Sequence, residues 1–334
     1  MYNPMSSIIR SAKRKPDEPL NILTFPAHER YESCLCQTGH NFYSVVAEGT
    51  KEWNEVYAAI PPNYTIFNNV LPDYVLGSID MVLSHNPFVH IPLAHRIGLR
   101  VPVVNIFHTM PVPQWNPDDI PHDARVMFDW CTEHIYISEF SKKAWGYDGK
   151  VIHHAIDTDL FCLPGNGPMA TTPQRNPVVL TVANDYINRD WCLGFSIWNA
   201  IAPELPMLPV GDTPGLSNPA PDVPSLVKTY QSSQVFLNTS TLSPIPTSLL
   251  EAMACGCACV SSDPCLIPEI IEDGVDGYLC PVDQPVVFAA RCKHLLNNPH
   301  IAEQMGRKAA AKVKSMFGID RFVKEFNEAF RSVL

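Results

Sequence analysis

The stretch that most constrains the fold is residues 235–256, VFLNTSTLSPIPTSLLEAMACG. Its opening, VFLNTS, is a short apolar run rich in β-formers, which predicts a buried strand. A Ser/Thr/Pro loop follows, then SLLEAMA, a run of good helix formers that Gly256 closes at a C-cap position. A strand that passes through a polar loop into a helix N-terminus is built to hold an anion. The first helical N–H groups have no internal partner, and the macrodipole places roughly half a positive charge there. A phosphorylated ligand is expected at this point. Ser248-Leu249-Leu250-Glu251 also fits an S-x-x-E capping box, in which Glu251 merely folds back onto the cap. The residues alone leave both readings open.

The rest of the chain repeats the strand-and-helix theme. Apolar strand-forming runs recur at residues 20–25, 78–85, 101–108, 133–138 and 150–156, and again at 176–184, 205–212, 235–240 and 257–262. Helical patterns lie at 52–59, 92–97, 189–202, 222–233 and 248–254, and the chain from 284 onward is helical. Such alternation predicts an α/β fold with parallel sheets and right-handed crossovers. Ligands of these sheets sit outside the strands' carboxyl ends. The candidates there in the first set are His28, Glu29, Arg30, His85, Asn86, His108, Thr109, Ser138 and Glu139. Residues 155–177, rich in Pro, Gly, Thr and Asn, divide the two sets.

A length of 334 residues suits two domains, and 46% hydrophobic against 17% charged residues marks a globular chain. The net charge of −10 argues against a broad non-specific surface for nucleic acid, although it leaves room for a local basic cleft. The eleven cysteines are odd in number and irregular in spacing. They lack the paired C-x2-C blocks of a structural zinc site, so they read as small buried hydrophobes of a reduced, cytoplasmic protein. The first twenty residues contain no apolar secretory core, and no run approaches the ~18 apolar residues of a membrane span. Arg10, Lys13, Arg14 and Lys15 are expected on a solvated arm, with anionic lipid or nucleic acid as the alternative contact.

Residues 242–283, LSPIPTSLLEAMACGCACVSSDPCLIPEIIEDGVDGYLCPVD, resemble the donor-site signature of retaining, GT-B-fold glycosyltransferases of family 4 (glycosyl transferases group 1). That pattern is E-x7-E, then L-E-A-M-A-C-G, then a P-E-(two apolar)-x-D-G-x-x-G tail. Its second Glu falls on Glu251 and its tail on Pro268, Glu269, Asp273, Gly274 and Gly277; Ser243 stands at the first Glu. HHAIDTDLF, residues 153–161, is similar to the family's interdomain hinge phrase.

The resemblance implies two Rossmann-like parallel-sheet domains facing a central cleft. The expected layout is a flexible arm at 1–18, an acceptor domain at 19–160, a donor domain at 161–316, and a terminal helix at 317–334 crossing back to the first domain. The implied reaction moves a sugar, with retention, from a nucleotide-diphosphate sugar to a hydroxyl acceptor. Arg189 matches the family's diphosphate-gripping Lys, while Asn184 replaces its Arg. His108 follows its strand as the family's cleft His does, and Glu251 is expected to accept the ribose hydroxyls. Thr247, Ser248 and Leu249 are expected to offer N–H groups to the distal phosphate. Gly211 and Ser243 complete the donor set, and His28, Glu29, Arg30, His85 and Asn86 form the acceptor set. His108, Arg189 and Glu251 are the implied catalytic residues.

No metal ion and no cofactor beyond the nucleotide sugar are implied. Family acceptors include glycans, lipids, small molecules and, in some viruses, hydroxylated DNA bases. The acidic chain disfavours DNA. Relatives also sit on membrane surfaces, so a peripheral position is compatible with a cytoplasmic protein. Ser243 and Asn184 leave one alternative, a GT-B module that binds a sugar nucleotide without turning it over. A dehydrogenase is disfavoured, because no G-x-G-x-x-G follows any strand.

Overall fold

The computed structural model describes residues 9–10, 13–15, 18–111, 122–165, 175–243 and 245–334. Most of the expected N-terminal arm (1–8, 11–12, 16–17) and residues 166–174 of the dividing segment lie outside that set. Two compact units are present: Met1–His153 with Asp320–Leu334, and His154–Ile319.

The first unit contains β1 (Asn21–Thr24), β2 (Asn41–Val46), β3 (Tyr64–Asn68), β4 (Met81–Ser84), β5 (Val103–Phe107), β6 (Glu133–Tyr136) and β7 (Lys150–Val151). They form one parallel sheet in the order β3-β2-β1-β4-β5-β6-β7. Strand order reverses between β1 and β4, and a crevice opens outside the carboxyl ends at such a switch point. Every residue of β1 and β4 is buried, because the sheet is covered on both faces. Leu23, Phe25, Val45 and Val82 belong to one core cluster, and Phe107, Phe128, Tyr136 and Trp145 to another. The last helix, Ile319–Ser332, adds its apolar stripe to this unit, with Phe322 and Phe326 edge-on to Tyr31 at 5.4 and 6.2 Å.

The second unit holds β8 (Asn176–Val182), β9 (Met207–Val210), β10 (Ser233–Asn238), β11 (Ala258–Ser262) and β12 (Tyr278–Cys280). All are parallel, in the order β12-β11-β10-β8-β9, so the switch point lies between β8 and β10. Helices Val223–Ser232, Thr247–Ala254 and Pro299–Phe317 bury Leu226, Tyr230, Leu250, Met253, Ala309 and Val313 in one core cluster. Helices Phe195–Ile201 and Pro285–Asn297 bury Trp198, Phe288 and Leu295 in a second. The α/β reading with two parallel sheets is borne out.

Several local expectations are corrected. Residues 52–59 form turns, not a helix: Trp53 Nε1 donates to Ala58 O (2.7 Å), and Asn54 N–H is taken by Glu29 Oε1 (3.1 Å). The helix expected over 189–202 breaks at Gly194, whose φ is 70° and whose added Cβ would lie 2.0 Å from Thr239 O. The helix expected from Pro92 starts at Pro87, because the Asn86 side chain caps it by accepting from Phe88 N–H at 3.1 Å. Arg14 is not solvated: its side chain is 7% exposed and pairs with the buried Asp80 carboxylate, with Arg10 Nε 3.5 Å from the same oxygen. No helix among the described residues is long and apolar enough to cross a membrane.

Candidate functional site

In the first unit, a cavity of about 310 Å³ opens at the β1–β4 switch point, where the carboxyl ends of β1, β4 and β5 meet. Its lining includes His28, Lys51, His85, Asn86, His108 and Trp145. Five of the nine candidates in this half, His28, His85, Asn86, His108 and Thr109, are thus brought together, and Ser138 and Glu139 lie outside the lining. So do Glu29 and Arg30: Glu29 Oε1 accepts from Asn54 N–H, and Arg30 Nε donates to Tyr57 O at 3.4 Å. Both follow His28 into a helix, Glu29–Cys36, which turns them toward the 54–57 turn.

The imidazoles form a connected set. His85 Nδ1 lies 2.9 Å from His108 Nε2, and His85 Nε2 lies 3.2 Å from Thr24 Oγ1. The backbone N–H groups of His85 and Asn86 both donate to His90 Nδ1, at 3.0 and 3.2 Å. That nitrogen therefore carries a lone pair, and the proton of the neutral ring sits on Nε2. Burial pushes His90 down to about 3 and holds His85 well below the usual imidazole range, so both are neutral at physiological pH. His108 thus has one ring nitrogen engaged by an uncharged partner. Among the described residues, no three His, Cys, Asp or Glu side chains are grouped to hold a metal ion.

The loop carrying His28 is pinned from below. Glu32 Oε1 accepts from the N–H groups of Ala27 (2.6 Å) and His28 (3.2 Å), and Glu32 Oε2 accepts from the Tyr64 hydroxyl. Glu32 is 1% exposed, and burial raises its carboxyl to about 7, against the lowering effect of those hydrogen bonds.

In the second unit the expected donor residues gather at the β8–β10 switch point. Gly211, at the end of β9, has φ 129°, and a Cβ there would lie 2.0 Å from Ala183 O. Only glycine allows the β8 and β9 exits to approach this closely. Asn184 stands where the resemblance has an Arg, and its Oδ1 accepts from Asp212 N–H at 2.8 Å. It ties the two exits together. Arg189 is exposed at the N-cap position of the short helix Asp190–Leu193, with Nη2 3.9 Å from Cys192 Sγ. That helix is stitched to the exit of β10: Thr241 N–H donates to Cys192 O (2.9 Å), Thr241 Oγ1 to Trp191 O (2.9 Å) and Thr239 Oγ1 to Leu193 O (2.9 Å). Arg189 and the loop leading to Ser243 therefore form one framework. The Ser243 backbone in turn bonds the Cys265 side chain.

The next helix, Thr247–Ala254, starts after Pro246, two residues earlier than the capping box requires. Ser248 lies inside the first turn, no side chain caps the helix, and Glu251 does not fold back. The capping-box alternative is overturned. Leu249 N–H donates to Pro246 O at 3.0 Å, so it is already engaged within the first turn, unlike its expected role toward a phosphate. Thr247 is exposed and Ser248 half-buried at the helix start. Glu251 is 3% exposed, and its Oε2 accepts from the Tyr230 hydroxyl at 2.9 Å.

Tyr230, Thr24, His90, Lys51 and Trp145 are residues of the two candidate sites that the sequence reading missed. Tyr230 sits on the apolar stripe of DVPSLVKTYQSS and looks like core until the neighbouring helix is placed beside it. Thr24 meets His85 from another strand, 61 residues away, whereas His90 accepts from His85 and Asn86, at the start of its own helix.

Residues 220–312 match the family described as glycosyl transferases group 1. Over 86 residues the chain is 35% identical to N-acetyl-alpha-D-glucosaminyl L-malate synthase of Bacillus anthracis, covering 26% of this chain and 23% of that protein. Over 102 residues it is 32% identical to spore coat protein SA of Bacillus subtilis strain 168, covering 30% and 26%. The matches thus span about a quarter of each relative's length. Among solved structures, sucrose-phosphate synthase from Thermosynechococcus elongatus superposes with a TM-score of 0.72 at 12% identity, over 94% of this chain and 98% of that one. Anabaena HepE in complex with UDP gives 0.70 at 16% identity, over 94% and 100%. The fold is therefore GT-B, and residues 220–312 carry a glycosyl transferases group 1 domain. Ser243, Thr247, Ser248, Leu249 and Glu251 lie inside the matched stretch; Asn184, Arg189 and Gly211 precede it.

Proposed function

We propose that the protein is a retaining glycosyltransferase of family 4 that moves a hexosyl or related sugar from a nucleotide-diphosphate sugar to a hydroxyl acceptor. What supports this reading is that an exposed guanidinium follows the exit of β8, while a helix N-terminus and a buried, hydrogen-bonded carboxylate follow the exit of its neighbour β10. Each suits one part of the donor. Arg189 clamps the diphosphate, and the N–H groups of Thr247 and Ser248 favour its distal charge. Glu251 accepts the ribose diol, as carboxylates do in dinucleotide folds. The Anabaena structures in complex with UDP and with UDP-glucose support a nucleotide-sugar ligand for a chain of this fold.

In the reaction we propose, the acceptor oxygen attacks the anomeric carbon from the face on which the diphosphate leaves. The new C–O bond forms as the C–O bond to phosphate breaks, and a phosphate oxygen takes the acceptor's proton. The protein contributes positioning and stabilisation of the departing charge, through Arg189 and the helix N-terminus, without a metal ion. His108 donates a hydrogen bond to the sugar, and the cavity beside it takes the acceptor. Asn184 and Ser243 alter donor preference in place of the family's Arg and Glu. The setting we assign is the cytoplasm, with the protein free or peripheral at a membrane.

The test is release of free nucleoside diphosphate from UDP-, GDP-, ADP- and dTDP-sugars with panels of glycan, lipid and small-molecule acceptors, wild type beside Arg189→Ala. Release that needs Arg189, with the product keeping the donor's anomeric configuration, supports the proposal. Binding without release in every panel favours the silent module, and an inverted product refutes retention.

A further inference from the structure

The helix Val223–Ser232 contributes to the donor site a residue that lies outside the family signature. Tyr230 is fully buried, and its hydroxyl donates to Glu251 Oε2 at 2.9 Å. The two side chains come from different helices, so their meeting depends on how Val223–Ser232 and Thr247–Ala254 are held together. One guanidinium does much of that. Arg175 Nη1 donates to Tyr230 O (3.2 Å) and Ser233 O (2.6 Å), and its Nη2 donates to Cys255 O (2.7 Å). Those carbonyls lie at the C-terminal ends of the two helices, where backbone acceptors are short of intrahelical donors and a cation is favourable. Close packing at Gly256 fixes the same corner: its φ is 77°, and an added Cβ would lie 2.5 Å from Leu163 Cδ2 and 3.0 Å from Arg175 Nη2. Arg175 therefore fixes the register of the helices in the same C-terminal turns that bring Tyr230 and Glu251 together.

We propose that Tyr230 is the positioning residue of the donor site, orienting the Glu251 carboxylate so that it meets the nucleotide's ribose diol without rearrangement. A carboxylate on a helix has several rotamers of similar energy, and a diol needs both lone-pair directions at fixed angles. A charge-assisted hydrogen bond from a rigid phenol selects one of them before ligand arrives. Tyr230 touches no substrate and acts only through Glu251. The proposal rests on the reading that Glu251 holds a nucleotide ribose.

The test is isothermal titration calorimetry with UDP, GDP, ADP and dTDP on four proteins: wild type, Tyr230→Phe, Glu251→Ala and the double variant. Circular dichroism melts confirm that each is folded. Tyr230→Phe keeps the ring's packing and removes only the hydroxyl. For the nucleotide that wild type binds, it is expected to raise Kd ~10-fold, the scale of one hydrogen bond to a charged group. The same substitution in the Glu251→Ala background is expected to change Kd less than ~2-fold, since the carboxylate it acts through is gone. A merely structural role would weaken binding equally in both backgrounds, and that result overturns the inference. So does an unchanged Kd in Tyr230→Phe. Should wild type bind none of the four nucleotides, the donor-site reading falls first and the inference falls with it.

Discussion

Replacing Glu32 by Gln isolates a single buried titration. In the folded protein this carboxyl is raised to about 7 from an ordinary value of 4.5, chiefly by burial. The folded chain therefore holds the proton more tightly than the unfolded chain between those two values. The stabilisation from that proton is complete below pH 4.5 and is lost as pH rises through 7. A displacement of that size corresponds to ~3 kcal/mol between the two limits. Glu32→Gln keeps the shape and an acceptor for the Ala27 and His28 N–H groups, and its amide faces the Tyr64 hydroxyl, which turns to accept. It removes the titration. The assay is urea unfolding of both proteins from pH 4 to 9, read as the difference between them, in which every other titrating group cancels. Near pH 4.5 the two are expected to be close in stability. By pH 8.5 the variant is expected to be the more stable by ~2–3 kcal/mol, since wild type then carries an ionised carboxylate in an apolar setting. A difference that stays flat with pH, or that favours wild type as pH rises, would refute the reasoning.

Two further substitutions test the frame that presents the sites. Gly211→Ala puts a methyl 2.0 Å from Ala183 O at a φ of 129°, so the β8 and β9 exits must separate; a loss of ~3 kcal/mol or more, seen as a lower melting temperature, is expected, and an unchanged melt contradicts the close approach. Arg14→Ala strips one guanidinium from an Asp80 carboxylate that is fully buried and also accepts from Asn21 N–H at 2.7 Å. Removing one partner of a buried pair costs ~3 kcal/mol, so urea unfolding should report that loss, and a change below ~0.5 kcal/mol would mean that the pair is solvated.

How far the sequence is legible depends on what each residue answers to. β1, β4, all but the first residue of β5 and the centre of β8 are buried, and these strands read as continuous apolar runs. β2 (NFYSVV), β3 (YTIFN) and the three-residue β12 are more polar, exposed or short, and pass as loop. The run EWNEVYAA has helical propensity, but hydrogen bonds from Trp53 and to Glu29 hold it in turns, a tertiary override of a weak local preference. Gly194 and Gly211 look alike as letters; that each is pressed against a carbonyl of another element appears only once the sheet is assembled. The donor-site segment was legible because strand, loop and helix are contiguous there. His85, Thr24 and Tyr230 gain partners 21 to 61 residues away on other elements, and spacing carries no trace of that.

The measurement that tests the central claim most directly is a thermal-shift panel of UDP-, GDP-, ADP- and dTDP-sugars on wild type, Arg189→Ala and Glu251→Ala. A ligand present at ~100 times its Kd stabilises the folded state by about 2.7 kcal/mol, which is readily visible as a higher Tm. The account predicts that one nucleotide class raises the Tm of wild type and raises that of both variants much less. If no nucleotide sugar shifts wild type, or if the variants shift as wild type does, the second unit's switch point is not a donor site.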